Sequence, residues 1–241
     1  MRAGYPAADG LGPVEAVIFD CDGTLVDSER PWLQVVAEQI ERLEADIAPE
    51  GLMGLPARQA AQALVAAAAS ARSAESVEKN ISRRYSLLLR ECDAPMPGVR
   101  ALLGAIDGVV PAAVASNGRG EDVRALLEAA GIADHFDAVV SIDDVVAGKP
   151  SPDVYLEACK RISVPPGHVL VVEDSPAGAA AARAAGCRVL GVNADLTIEL
   201  DADARIPSLE KCVFDATNRR LILRGAASST SPTRKVAPVS Y

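Results

Sequence analysis

Asp20-Cys21-Asp22-Gly23-Thr24 closes the apolar run Val14–Phe19, and how it is read decides the fold. Within that run Ala16-Val17-Ile18-Phe19 carries no polar side chain, the pattern of a strand covered on both faces. Two carboxylates therefore stand two residues apart where a buried strand stops. Open α/β sheets gather their chemistry at the carboxyl ends of strands. A lone D-x-D is more often a turn than a site. Here Gly23 permits a sharp backbone turn, and the Thr24 hydroxyl can orient a carboxylate. The pair becomes a site only if other strand ends bring a cation and further donors to it.

Composition bounds what that site can serve. The 241 residues suffice for one large domain, or for a core carrying an insertion. Hydrophobic residues make up 49% of the chain and aromatic ones only 3%, so Ala, Val, Leu and Ile must build the core. A formal net charge of −9 argues against nucleic-acid or anionic-membrane binding, which need a basic surface, but leaves room for a local cationic pocket. The five cysteines (Cys21, Cys92, Cys159, Cys187, Cys212) show neither C-x-x-C nor zinc spacing and read as free thiols. Cys21 lies between the two aspartates, yet no nearby His would activate it as a nucleophile. No secretory signal or membrane-spanning apolar run is evident, so the expected compartment is the cytoplasm.

From Asp27 to Asp93 the apolar spacing turns helical, over Trp32–Leu43, Ala57–Ala71 and Val77–Leu89, with Pro49, Gly51, Gly54 and Pro56 breaking it. After Pro95-Met96-Pro97-Gly98 helices and short strands alternate. Helices are expected over Val99–Ile106, Asp122–Ala130, Pro152–Arg161 and Ala177–Ala185, and strands over Ala112–Ser116, Ala138–Ser141, Val169–Glu173 and Val189–Val192. That succession predicts an α/β fold, a doubly wound, mainly parallel sheet. Residues 1–26 and 94–224 would form a discontinuous core domain and 27–93 an inserted α-helical cap domain. Residues 1–12 read as a loose lead-in, and 225–241, rich in Ser, Thr, Pro and Ala, as a disordered tail.

Later strand ends carry what the first one lacks. Val114-Ala115-Ser116-Asn117-Gly118 ends a strand with a hydroxyl, an amide and a glycine, a corner able to hold an anionic oxygen, although Ser-Asn-Gly is also an ordinary turn. In Gly148-Lys149-Pro150-Ser151-Pro152-Asp153, Lys149 sits in a stiffened loop where an ammonium can neutralise a phosphate and a nearby carboxylate. Val172-Glu173-Asp174-Ser175 adds a second acidic pair, ahead of an Ala-rich helix that Asp174 or Ser175 could also cap. Carboxylates from two strand ends suit octahedral Mg²⁺.

In chain order, DCDGTLVDSE, VASNG, GKPSPDVY and VEDSPAGAAAARAAG resemble the four motifs of the haloacid dehalogenase superfamily. The likeness is to its phosphatases with a helical cap inserted after the first motif, of the β-phosphoglucomutase and sugar-phosphatase type, and runs from about Val14 to Val192. The resemblance implies a Rossmann-like core and a phosphorylated small-molecule substrate. It makes Asp20 the nucleophile of an aspartyl-phosphate intermediate and Asp22 the general acid and base. It assigns Mg²⁺ to the Asp20 carboxylate, the Asp22 backbone carbonyl and Asp174, with Glu173 binding directly or one layer behind. Ser116 and Lys149 would bind the transferring phosphoryl group, helped by Asn117 and the amide of Gly118. The expected assembly is a monomer or weak homo-oligomer, with no nucleic-acid or membrane partner.

Within the family, Asp22 argues against dehalogenase and phosphonate-cleaving members, which lack an acid there, and Lys79 is the only lysine of segment 27–93. The main rival is a sugar-phosphate mutase of the β-phosphoglucomutase type. Those mutases resemble one another in a hinge histidine twelve residues after the nucleophile, and here that residue is Trp32. Arg58 follows a loop resembling the cap's substrate-facing loop, so it would meet a substrate hydroxyl, carboxylate or second phosphate, or stay solvated. The whole pattern most resembles phosphatases of sugar phosphates or sugar-acid phosphates such as 6-phosphogluconate. A non-catalytic phosphate-binding or regulatory protein of the same fold is a further alternative, against which Asp20 and Asp22 both stand intact.

Overall fold

Along the opening strand, apolar side chains alternate between two faces. The computed structural model describes residues 11–53, 55–68, 72–195 and 197–224. In it β1 (Ala16–Phe19) sends Ala16 and Ile18 into one buried cluster and Val17 and Phe19 into another. Burial on both faces is what its unbroken apolar sequence requires.

From β1 the chain passes into three helices packed on one another, α1 (Glu29–Leu43), α2 (Ala57–Ala67) and α3 (Ala74–Leu89). They close an apolar cluster of their own, including Trp32, Val35, Leu52, Leu64 and Ile81. This is the helical cap. Departure and return run side by side: Val26 pairs with Pro95, and the Met96 N–H donates to the Leu25 carbonyl at 2.8 Å.

Beyond this hinge α4 (Val99–Ile106) leads to β2 (Ala112–Ala115), α5 (Gly120–Ala129), β3 (Ala138–Val140), α6 (Asp153–Arg161), β4 (Val169–Glu173), α7 (Pro176–Ala184), β5 (Arg188–Val192) and β6 (Ala204–Ile206). The strands form one parallel six-stranded sheet in the order β3-β2-β1-β4-β5-β6. Apolar residues of α4 and α5 share the cluster of Val17 and Phe19, and those of α6 and α7 share that of Ile18. Strand order reverses at β1, flanked by β2 and β4, so the crevice beyond its carboxyl end is where a ligand is held.

The structure adds three strands that the sequence pattern does not announce: β6, and the antiparallel hairpin of β7 (Cys212–Asp215) and β8 (Arg220–Leu223). Phe214 and Leu221 of that hairpin pack into the cluster holding α4. The cap helix expected to reach Ala71 ends at Ala67, and α5 begins two residues ahead of its expected start, at Gly120. Residues 1–10 of the lead-in, Gly54 of the cap loop and the expected tail 225–241 lie outside the described residues.

Candidate active site

Three strand ends and one loop converge on a buried ammonium. Asp20 follows β1, Ser116 follows β2, Glu173 ends β4, and Lys149 enters from the loop between β3 and α6. Asn117 locks that loop to the β2 corner, its side chain accepting from the Lys149 N–H at 2.8 Å and donating to the Lys149 carbonyl at 3.2 Å. Lys149 Nζ, its side chain only 4% exposed, donates to Asp20 Oδ1 and to Glu173 Oε1, the latter at 2.7 Å.

Asp22 stands beside this ion cluster and faces the open side. Ser116 Oγ donates to Asp22 Oδ2 at 3.0 Å and accepts from the Gly118 N–H at 2.8 Å. The expected phosphoryl-binding hydroxyl is thus engaged with the expected acid/base, and the serine fixes the carboxylate. Gly23 makes the turn at φ 82°, and a Cβ there would fall 2.3 Å from Asp174 Oδ2, so only glycine lets the two acidic strand ends meet. The Thr24 hydroxyl, expected to orient a carboxylate, is instead buried without a hydrogen-bond partner.

Glu173 is fully buried and its carboxylate crowded with donors. Oε2 accepts from the Asp174 N–H at 3.0 Å, the Ser175 N–H at 3.1 Å and Ser175 Oγ at 3.0 Å. Oε1 accepts from Tyr155 as well as Lys149, each at 2.7 Å. Ser175 also caps α7, its hydroxyl accepting from the Gly178 N–H at 3.1 Å. Capping and site construction therefore coincide at this strand end, with Ser175 as the cap. Asn193, beyond β5, donates to the Asp174 carbonyl at 2.9 Å.

Charge at the site is unbalanced. Carboxylate oxygens of Asp20, Glu173 and Asp174 lie within 4.8 Å of one another, against the single ammonium of Lys149. Burial holds Asp20 well above the usual carboxylate range despite Lys149. Burial, and next the charge of Glu173, push Asp174 up to about 7. Burial would raise Glu173 too, but the charge and hydrogen bond of Lys149, together with the hydrogen bonds from Tyr155 and Ser175, outweigh it and hold it down. Hard oxygen donors with uncompensated negative charge fit a small divalent cation, which would return the raised acids to carboxylates. The Cys21 thiol is fully buried and pushed well up by that burial, which removes it as a nucleophile.

Outside the cluster a cavity of about 640 Å³ opens between core and cap, lined among others by Asp22, Trp32, Arg58, Tyr85, Asn117 and Arg119. Arg58 stands on this wall, near the start of α2, and is exposed. The Trp32 indole N–H donates to the Leu52 carbonyl at 2.9 Å, and its ring meets that of Tyr85 edge-on at 5.4 Å. Ser86 of α3 donates to Asp122 of α5 at 2.7 Å, tying cap to core at the cavity's edge. Sequence reasoning gave no role to Tyr155, Arg119 or Asn193. Tyr155 was the most legible of these, as the one aromatic residue of GKPSPDVY, at the start of a helix.

The haloacid dehalogenase-like hydrolase family model matches residues 14–186. A phosphorylated carbohydrates phosphatase of Thermotoga maritima is 32% identical over 184 residues, 74% of this chain and 85% of that protein. A fructose-1-phosphate phosphatase of Escherichia coli is 32% identical over 181 residues, 73% of this chain and 95% of that protein. Among solved structures, a candidate β-phosphoglucomutase from Thermotoga maritima superposes with a TM-score of 0.71 at 28% identity, covering 81% of this chain and 95% of that one.

Proposed function

Because this chain belongs to the haloacid dehalogenase-like hydrolase family and is a phosphatase of that type, we propose that it hydrolyses a sugar phosphate or sugar-acid phosphate by way of phospho-Asp20. The observation that carries the reading is the Lys149 ammonium bridging Asp20 and Glu173, with Asp22 held by Ser116 on the cavity side. A phosphate ester entering the cavity presents its phosphorus to Asp20. An Asp20 oxygen attacks in line, the bond from phosphorus to the leaving oxygen breaks, and Asp22 gives that oxygen its proton. Asp22, now a carboxylate, takes a proton from water. The resulting hydroxide attacks phosphorus, the bond to Asp20 breaks, and inorganic phosphate leaves. Lys149 neutralises charge on the phosphoryl oxygens and on the nucleophile, assisted by the backbone amide of Asn117.

Mg²⁺ would be held by the Asp20 carboxylate, the Asp22 carbonyl and Asp174, with Glu173 directly or one layer behind, and would supply charge neutralisation at the phosphoryl group. Arg58, on the cap side of the cavity, would meet the leaving group.

The structural likeness to a candidate β-phosphoglucomutase supports a second reading, phosphosugar isomerisation. Against it, the residue at the mutase histidine position is Trp32, whose indole N–H is committed to the Leu52 carbonyl. An indole offers no acid or base near neutral pH. The test is inorganic phosphate release from a panel of metabolite monophosphates with Mg²⁺, using Asp20→Asn as the blank. Release from one or a few sugar phosphates is expected. Phosphosugar isomerisation without net release would establish the mutase instead, and neither activity would overturn both.

A further inference from the structure

Glu173 is the side chain of the site whose position most needs explaining. Its carboxylate lies among the acidic oxygens suited to a dication, yet both its oxygens are already engaged by protein donors. A carboxylate offers about four lone-pair sites, and Glu173 accepts from Lys149, Tyr155, the Asp174 and Ser175 amides and the Ser175 hydroxyl. All but one of these donors come from the loop between β3 and α6 or from the two residues after Glu173 itself. The exception is Tyr155, on α6. It is fully buried, and its hydroxyl donates to Glu173 Oε1 at 2.7 Å. Lys149 Nζ stands 5.0 Å from the centre of its ring.

We infer that Tyr155 is a positioning residue that keeps Glu173 turned toward Lys149 and off the cation, so that the metal is held by Asp20, Asp174 and the Asp22 carbonyl alone. This rests on the proposed phosphatase reading and decides the role which that reading leaves open for Glu173. Lys149 has two carboxylate partners, Asp20 and Glu173. Were Glu173 drawn onto a dication, Lys149 would be left with Asp20 alone. Its charge would then close on the nucleophile that must attack phosphorus. The Tyr155 hydroxyl prevents this by filling Oε1, and the aromatic face confines the ammonium beside it. Metal affinity and turnover are therefore opposed at this residue: releasing Glu173 strengthens metal binding and weakens catalysis.

Tyr155→Phe removes the hydroxyl and keeps the ring, the packing and the cation–π contact. Mn²⁺ binding to the full chain, read from the electron paramagnetic resonance of free Mn²⁺, is expected to tighten by about tenfold. At saturating Mg²⁺, kcat is expected to fall by about tenfold while KM stays within about twofold, since the substrate-binding wall is untouched. A merely structural role would loosen metal binding and slow turnover together. In a Glu173→Gln background, which removes the charge that would migrate, Tyr155→Phe should leave Mn²⁺ affinity unchanged. Equal or weaker Mn²⁺ binding in Tyr155→Phe, or a gain that persists with Gln at 173, overturns the inference, as does a wild-type chain that binds no Mn²⁺. Mn²⁺ binding is read without substrate. Wild-type protein that binds Mn²⁺ but releases no phosphate would count against the proposed reaction and leave the Tyr155 result standing on its own.

Discussion

Asp22 is asked to do opposite things in the two halves of the proposed reaction, and its surroundings suit that. Ser116 occupies one of its oxygens, and its half-buried carboxylate borders the cavity, where the leaving oxygen and then the water arrive. A sugar alkoxide must be protonated as it leaves, whereas p-nitrophenolate is stable without a proton. Asp22→Ala is therefore expected to slow sugar-phosphate turnover by about 10²–10⁴-fold. With p-nitrophenyl phosphate the same variant should release one equivalent of nitrophenol rapidly and then stall, because only the second step still needs a base. Stopped-flow absorbance reads this directly. A steady state with no burst would mean that Asp22 does not separate the two steps. The expected role of Asp22 came from the likeness of DCDGT to a family motif, since two carboxylates two residues apart are by themselves more often a turn. The contact that Ser116 makes with Asp22 could not be read in the sequence. Its hydroxyl meets Asp22 only because β1 and β2 are neighbours, with Phe19 opposite Val114.

At the scale of elements, α7 shows packing overruling propensity. Its sequence is Ala-rich, and replacing the one glycine inside it, Gly178, with alanine should favour the helix by about 1 kcal/mol. A Cβ at Gly178, however, would lie 1.6 Å from Glu173 Oε1. Glu173 cannot yield cheaply, because it is fully buried and bonded on both oxygens. Gly178→Ala should therefore lower the melting temperature and nearly abolish activity, and an unchanged or raised melting temperature would show that Glu173 can move aside. The helices were legible because each repeats one period over several turns, and β1 to β5 because each holds an unbroken apolar run of three or four residues, such as Ala16–Phe19 or Val169–Val172. β6 was not, being three residues, Ala204–Ile206, with a charge at its centre. The hairpin left a faint trace, since buried Phe214 and Leu221 alternate with exposed Val213 and Ile222 about an Asp215 turn. Four residues suffice when all are apolar, as in β1, but here Asp215 and Arg220 cut into the runs and one face of each strand is exposed.

Across the molecule, ion pairs join elements distant in sequence and give stability a pH dependence. Arg161, at the end of α6, donates to Asp144 at 2.7 Å and to the Val139 carbonyl of β3 at 2.9 Å. The Arg161 hydrogen bond, aided by those from Ser141, holds the Asp144 carboxyl down at about 2. A carboxyl depressed in the folded state contributes stability above its unfolded pKa of about 4 and loses it as pH falls through the folded value. Asp144→Asn should accordingly melt below wild type at neutral pH, by a modest margin because solvent screens the pair, and the gap should close toward pH 2. A gap constant with pH would assign the effect to shape rather than charge. The doubly wound sheet was legible from alternation, but strand order was not, since only packing selects which strands flank β1. The cap closes its own apolar cluster and joins the core through a paired hinge, through Tyr85 and Leu89 of α3 packed on the core's apolar cluster, and through polar contacts such as Ser86 with Asp122. Its buried cluster, which holds Leu64 and Ile81, is separate from the two clusters that pack on the sheet carrying the strand ends. Descendants of such a chain can thus inherit one chemistry unchanged while their appetite for metabolites drifts, the two traits diverging at independent rates.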